Sequence, residues 1–153
     1  MNILWMKFRK EVKDNGITVI LNCANDVDED GCCTKKNCGC TCSGVLTRHI
    51  PLIDNITDEQ AFQDGAAFIH EHLSNKEKLL VHCAQGISRS VAMVMYYFIH
   101  YGSLTPHEAL FKIQQKRPFA GPGEEYCHFL MKTFQKEASQ SLAAFCGSLP
   151  KKN

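Results

Sequence analysis

Neither sign of charge dominates this sequence: 17 lysines and arginines face 16 aspartates and glutamates over 153 residues, with both signs scattered. Without a basic stripe there is no electrostatic footprint for a phosphate backbone, so no nucleic acid partner is expected. Long apolar runs are missing too. The longest, Val91 to Ile99, falls far short of the ~20 residues that span a bilayer, and no membrane partner is expected. Met1 to Lys10 holds three basic residues but neither an apolar core nor a small-residue cleavage site, so it does not read as a secretory signal. The expected compartment is the cytoplasm, with the nucleus as a second. No C-x-x-C pair occurs despite nine cysteines, which removes the common structural-zinc spacing. In a reducing compartment those thiols read as catalytic, metal-binding, redox-sensing or small core residues rather than as disulfides.

What is present is enough for one globular domain. At this length and with 44% apolar residues, folding buries roughly 70% of the unfolded surface without staples. Segments of alternating type favour an α/β architecture. Ile17 to Leu21 is a β-branched run bounded by Gly16 and Asn22, and reads as a buried strand. Residues 25–44 are polar, hold five cysteines (Cys32, Cys33, Cys38, Cys40 and Cys42) and read as a long loop. Val45 to Leu52 resumes as a strand. Thr57 with Gln60 forms a capping-box pattern, and Phe62, Ala66, Ile69 and Leu73 recur at helical spacing over about 58–73. Leu79 to Val81 is short and wholly apolar, as a central parallel strand is. Ser88 to Tyr101 reads as a buried helix. Thr105-Pro106-His107-Glu108 starts another, ending near Lys116, and Cys127, Leu130, Met131 and Phe134 mark the inner stripe of a last one. The tail, 139–153, has weak periodicity.

Between the short strand and the buried helix lies His82-Cys83-Ala84-Gln85-Gly86-Ile87-Ser88-Arg89-Ser90. A strand-loop-helix junction aims successive backbone amides and the positive end of a helix dipole into one small concavity, which suits an anion. Cys83 sits at its mouth, where such surroundings stabilise a thiolate. Gly86 lets the loop backbone approach a bound anion where a Cβ would obstruct. Arg89, six residues after Cys83, offers a planar fork matched to two phosphate oxygens.

With these residues the sequence resembles the cysteine-dependent protein phosphatases, whose signature is HCxxGxxRS or HCxxGxxRT, and within them the small dual-specificity branch. The resemblance extends through ITVILN, IPLIDN, LLVHCAQGISRS and LTPHEAL to Arg117-Pro118, covering roughly residues 16–135. It implies a three-layer α/β domain with a central, mainly parallel sheet flanked by helices, occupying 1–138 with the cysteine-rich segment 25–44 as an insertion. The implied activity is hydrolysis of phosphotyrosine and phosphoserine/threonine in a phosphoprotein substrate through a phosphocysteine, with no metal and no cofactor.

By the same resemblance Cys83 is the nucleophile. Arg89 and the loop Ala84, Gln85, Gly86, Ile87 and Ser88 bind phosphate, and Asp54 is the general acid, with Asp58 as the alternative. Ser90 assists the sulfur as leaving group. His82 supports the thiolate, though it reads equally as a hydrogen-bonded core histidine. Uncharged loop residues point away from multiply charged lipid headgroups. A phosphopeptide-binding module without catalysis is the alternative on this fold; a thiolate and an acid together argue against it. Cys38, Cys40 and Cys42 alternate, and thiolates so spaced suit a soft metal; an exposed redox-sensitive insertion is the other reading. Cys23 is a redox candidate, since some relatives pair such a cysteine with the nucleophile under peroxide. Two features depart from the family: only sixteen residues precede ITVIL, with Trp5 and Phe8 in place of an N-terminal strand pair, and Gly123 stands where an asparagine is usual. If that asparagine normally braces the loops around the site, rigidity here comes from elsewhere.

Overall fold

In the computed structural model, residues 10–25, 39–42, 44–54 and 56–135 are described, 39–42 by their backbone alone. Trp5, Phe8, Cys32, Cys33, Cys38 and the tail lie outside them, and with them the metal reading of the cysteine cluster and the N-terminal edge. A helical turn at 10–14 leads into β1 (Val19–Asn22), followed by β2 (Gly39–Cys42), β3 (Val45–His49), α1 (Glu59–Ser74), β4 (Leu79–His82), α2 (Arg89–His100), α3 (Pro106–Gln114) and α4 (124–135).

The described sheet has the order β2-β3-β1-β4. β1 runs parallel to both β3 and β4, with Asn22 opposite His49 on one side and His82 on the other. All four β1 residues are buried, as a strand covered on both faces requires. β4 was expected in the middle. Among the described residues it instead pairs with β1 alone, and each of its four residues is half-buried. The expectation of an unbroken loop over 25–44 also needs correction, because Gly39–Cys42 pairs antiparallel with β3, Cys40 opposite Thr47 and Cys42 opposite Val45. Its hairpin turn uses Gly44 at φ +79°. An edge strand is held by backbone hydrogen bonds and does not need an apolar repeat.

Helix limits follow capping chemistry. Asp58, not Thr57, caps α1, its Oδ1 accepting from Ala61 N at 3.2 Å. Phe62, Ala66 and Ile69 are buried as expected, but Leu73 is exposed and His72 takes the inward place, bonded to Glu77. A 3.6-residue repeat drifts along a helix, and a paired histidine can occupy the last inward position. α3 has the expected capping box: Glu108 N donates to Thr105 Oγ1, and Thr105 N donates to Glu108 Oε2. In α4, Tyr126 and Leu130 are buried while Met131 is exposed, so the inner stripe is shifted from the expected one.

α2 packs against α1, α3 and β4. Its Val91, Ala92, Met93, Met95, Tyr96 and Ile99 are buried. Phe62, Tyr96 and Phe129 form an aromatic cluster with ring centroids 4.9 to 6.0 Å apart, and Tyr126 meets Phe62 edge-on at 5.8 Å. These contacts tie α1, α2 and α4 together and set Tyr126 beneath the loop that follows β3.

Candidate active site

Three segments end at the same rim of the sheet. Because β1, β3 and β4 are parallel, the residues following each emerge on one side, where open α/β sheets place their ligand sites. Beyond β4 comes the 83–88 loop, beyond β1 comes Cys23-Ala24-Asn25, and beyond β3 comes the turn carrying Asp54. Backbone bonds continue the pairing past the strands: Cys23 N donates to His82 O at 2.7 Å, Ile50 N to Asn22 O at 3.0 Å and Leu52 N to Cys23 O at 3.0 Å.

Cys83 is 8% exposed. Gly86 N donates to its Sγ at 3.3 Å, and Ser90 Oγ lies 3.3 Å from the same atom. Ser88 caps α2 without any side-chain bond to the helix's free amides. The sulfur stands in for a cap. Burial is the largest single influence on the Cys83 thiol and raises its pKa, but hydrogen bonds from the Ser90 hydroxyl and from the amides of Ser90, Gly86 and Gln85 together outweigh it and hold the thiol below its ordinary range. His82 Nδ1 donates to the Cys83 carbonyl at 3.3 Å.

Arg89, the first residue of α2, keeps its side chain 11% exposed, and its Nε is 3.9 Å from Asp54 Oδ1. Asp54 is open to solvent, with 63% of its side chain exposed. The guanidinium is thus largely buried while the carboxylate beside it is open to solvent. Asp58 is used up as the α1 cap, which separates the two acidic candidates.

Two supporting residues escaped the sequence reading. Asn25 Oδ1 accepts from Arg89 Nη1 at 2.5 Å. Asn25 is itself placed by a fixed turn, in which Ala24 N donates to Asn22 Oδ1 at 2.9 Å and His49 Nε2 donates to Ala24 O at 2.6 Å. The available signal was its position immediately beyond a parallel strand. Tyr126 donates its hydroxyl to Ile53 O at 2.9 Å, next to Asp54. Burial, and then the Asp54 carboxylate, push its phenol up to about 12, so it remains a donor at neutral pH. Gly86 carries a further constraint. Its φ is +65°, and a Cβ there would come within 2.9 Å of the Arg117 guanidinium.

A buried, acidified thiol ringed by amides, with a fixed guanidinium and an open carboxylate beside it, suits attack on a tetrahedral oxyanion. A family model described as dual specificity phosphatase, catalytic domain, matches residues 5–136. The chain belongs to this family. Human dual specificity protein phosphatase 26 is 36% identical over 110 residues, covering 71% of this chain and 51% of that protein. Zebrafish (Danio rerio) dual specificity protein phosphatase 22-A is 30% identical over 142 residues, 91% of this chain and 62% of that one. The chain thus spans about half to three-fifths of these curated relatives. Among solved structures, DUSP15 superposes with a TM-score of 0.73 at 21% identity over 99% of this chain and 91% of that one. Human DUSP28 gives 0.71 at 19% identity over 86% of each. These similarities establish the phosphatase fold, a mainly parallel sheet flanked by helices.

The balance around Cys83 is testable. Ser90→Ala removes a donor to sulfur, so the pH midpoint for alkylation of Cys83 by iodoacetamide rises. A hydrogen bond to a charged atom is worth about 1.5 kcal/mol, so the midpoint moves up by about one pH unit. Mass-resolved labelling of Cys83 against pH reads the effect.

Proposed function

We propose that the protein is a dual-specificity protein phosphatase that hydrolyses phosphotyrosine and phosphoserine/threonine through a phosphocysteine. The observation that carries this reading is the state of Cys83: a buried thiol held below its ordinary range by Ser90 and loop amides, beside Arg89 and Asp54. Simple binding of a phosphate needs neither the thiolate nor the acid.

In the first step Cys83 Sγ attacks phosphorus and the bond to the substrate oxygen breaks, that oxygen taking a proton from Asp54. Arg89 meets two equatorial oxygens with its fork, while the amides of the 84–88 loop face the remaining charge. Asn25 keeps the fork in place. In the second step a water attacks phosphorus, giving its proton to the Asp54 carboxylate. The sulfur–phosphorus bond breaks with its electrons returning to Cys83, to whose thiolate Ser90 and the Gly86 amide donate, and inorganic phosphate leaves. Tyr126 steadies the Asp54 loop through Ile53, and His82 steadies the Cys83 carbonyl. Ala84, Gln85, Ile87 and Ser88 are uncharged, which favours a phosphoprotein over a multiply charged lipid headgroup.

Cys23 fits a redox partner of the nucleophile. Asn22 lies opposite His82 in the β1–β4 ladder, so Cys23 and Cys83 occupy the next position of the same register. Neighbouring parallel strands lie about 4.8 Å apart, inside the roughly 4.4 to 6.8 Å between Cα atoms that a disulfide spans. Burial, and then the Cys83 charge, push the Cys23 thiol up, so it stays protonated while Cys83 is reduced. Peroxide oxidises the Cys83 thiolate to a sulfenic acid and is reduced to water. That product is neutral, the repulsion on Cys23 falls, and Cys23 sulfur displaces hydroxide to form the disulfide, a second water being released.

Cys83→Ser abolishes hydrolysis of p-nitrophenyl phosphate in the wild-type assay, and unchanged turnover refutes the phosphocysteine. Asp54→Ala slows phosphoserine peptides by at least about a hundredfold while slowing the nitrophenyl ester much less, because general acid catalysis contributes about 10² to 10⁴ and a good leaving group needs little of it. Equal losses reassign the acid. After peroxide, peptide mapping recovers a linked Cys23–Cys83 pair, and Cys23→Ser converts it into sulfinic acid at Cys83; sulfinic acid in the wild type with Cys23 free removes the redox pairing.

A further inference from the structure

The 83–88 loop has carbonyl oxygens as well as amides, and three consecutive ones are held by a single neighbouring segment. Arg117 Nη2 donates to Gln85 O at 3.1 Å and Arg117 Nε to Gly86 O at 2.7 Å; Gly121 N donates to Ile87 O at 3.0 Å. Gly123 N completes the strap by donating to Ser88 Oγ at 2.9 Å.

Every peptide bond among the described residues is trans. In a trans peptide the carbonyl and the following N–H point in opposite directions across one rigid plane. Tying the carbonyls of Gln85, Gly86 and Ile87 outward therefore turns the amides of Gly86, Ile87 and Ser88 the other way. The first of these shows the result directly: the Gln85–Gly86 plane has its carbonyl on Arg117 and its N–H on Cys83 Sγ at 3.3 Å. One guanidinium grips two of the three planes.

The strap is itself rigid. Arg117 N donates to Ile113 O at 2.9 Å at the end of α3, Ala120 N donates to Arg117 O at 3.0 Å, and Gln114 Nε2 donates to Ala120 O at 2.8 Å. Ala120 is 2% exposed and belongs to the core. The geometry therefore anchors the loop's peptide planes to α3 through a short fixed path.

We infer that Arg117 is a positioning residue: with residues 118–123 it holds the phosphate loop with its amides facing Cys83, so that both thiolate and bound oxyanion depend on a side chain that touches neither. Gly86 is the matching half of this contact. A side chain at 86 is strained at φ +65° and meets Arg117 Nη2 at 2.9 Å. Arg117 is exposed, so water competes for the stability its bonds provide, and orientation of the loop is the larger consequence.

This inference rests on Cys83 being the nucleophile, and the test separates the two. In the full chain, Cys83 alkylation is followed against pH by mass-resolved labelling, vanadate inhibition is measured, and folding is checked by thermal unfolding, for the wild type, Arg117→Ala, Arg117→Lys and Gly86→Ala. The expected result is an upward move of the alkylation midpoint and about tenfold weaker vanadate inhibition in all three variants, with unfolding temperatures close to the wild type for the two Arg117 variants. Lysine keeps the charge but cannot grip two carbonyls in one plane. Full rescue by Arg117→Lys would show that charge alone matters and would overturn the positioning role, as would an Arg117→Ala variant with unaltered alkylation and inhibition, or one whose only change is a lower unfolding temperature. A wild type whose Cys83 alkylates like a free thiol and ignores vanadate defeats the reading of the nucleophile instead.

Discussion

A thiolate taken out of water loses its hydration, and at Cys83 that loss is the largest single influence on the thiol. What reverses it is a set of short-range donors: the Ser90 hydroxyl and the amides of Gln85, Gly86 and Ser90. Each works only if its N–H or O–H points at the sulfur, because hydrogen bonds weaken steeply once misaligned. The chemistry of the site is thus a question of peptide-plane orientation in a loop of a few residues. A loop free to rotate its planes would leave a buried neutral thiol, an unreactive core residue.

The parallel sheet supplies the second requirement, convergence. β1, β3 and β4 release their following residues at one rim, and the pairing continues beyond the strands through Cys23 and Leu52. Asn25, Asp54 and Cys83 come from segments far apart in the chain and meet there. Arg89 is reached from two sides, by the Asn25 amide at 2.5 Å and by Asp54 at 3.9 Å. The neutral partner is the closer one. The carboxylate, with 63% of its side chain exposed, stays in solvent.

Gly123 offers no side chain to brace the site, yet the segment around it lies against the 83–88 loop through backbone donors and Arg117. Backbone groups at 121 and 123 do this without regard to side chain. The bracing here lies mostly in the course of the chain, with the Arg117 and Ser88 side chains joining it. Tyr126 does similar work for the loop that carries Asp54, secured by the aromatic packing of α4 on α1 and α2.

Some of this was legible in the residues. The α3 capping box, the buried β1 run, the α2 apolar helix and the nine-residue loop are local patterns, in which neighbours along the chain determine the outcome. Misplaced features were those settled by distant contacts: Leu73 and His72 exchange places because Glu77 satisfies the histidine, Met131 yields to Tyr126 because of the aromatic cluster, and β2 pairs because β3 offers an edge. The same division holds at the site. Sequence alone pointed to the setting of Cys83, the Arg89 fork and a glycine at 86, since spacing within one loop is a covalent matter. Tertiary structure alone decided that Asn25 meets Arg89, that Cys23 follows the register of Cys83, and that Arg117 grips the loop from outside. Contacts between segments dozens of residues apart depend on how strands and helices pack, which no local spacing encodes.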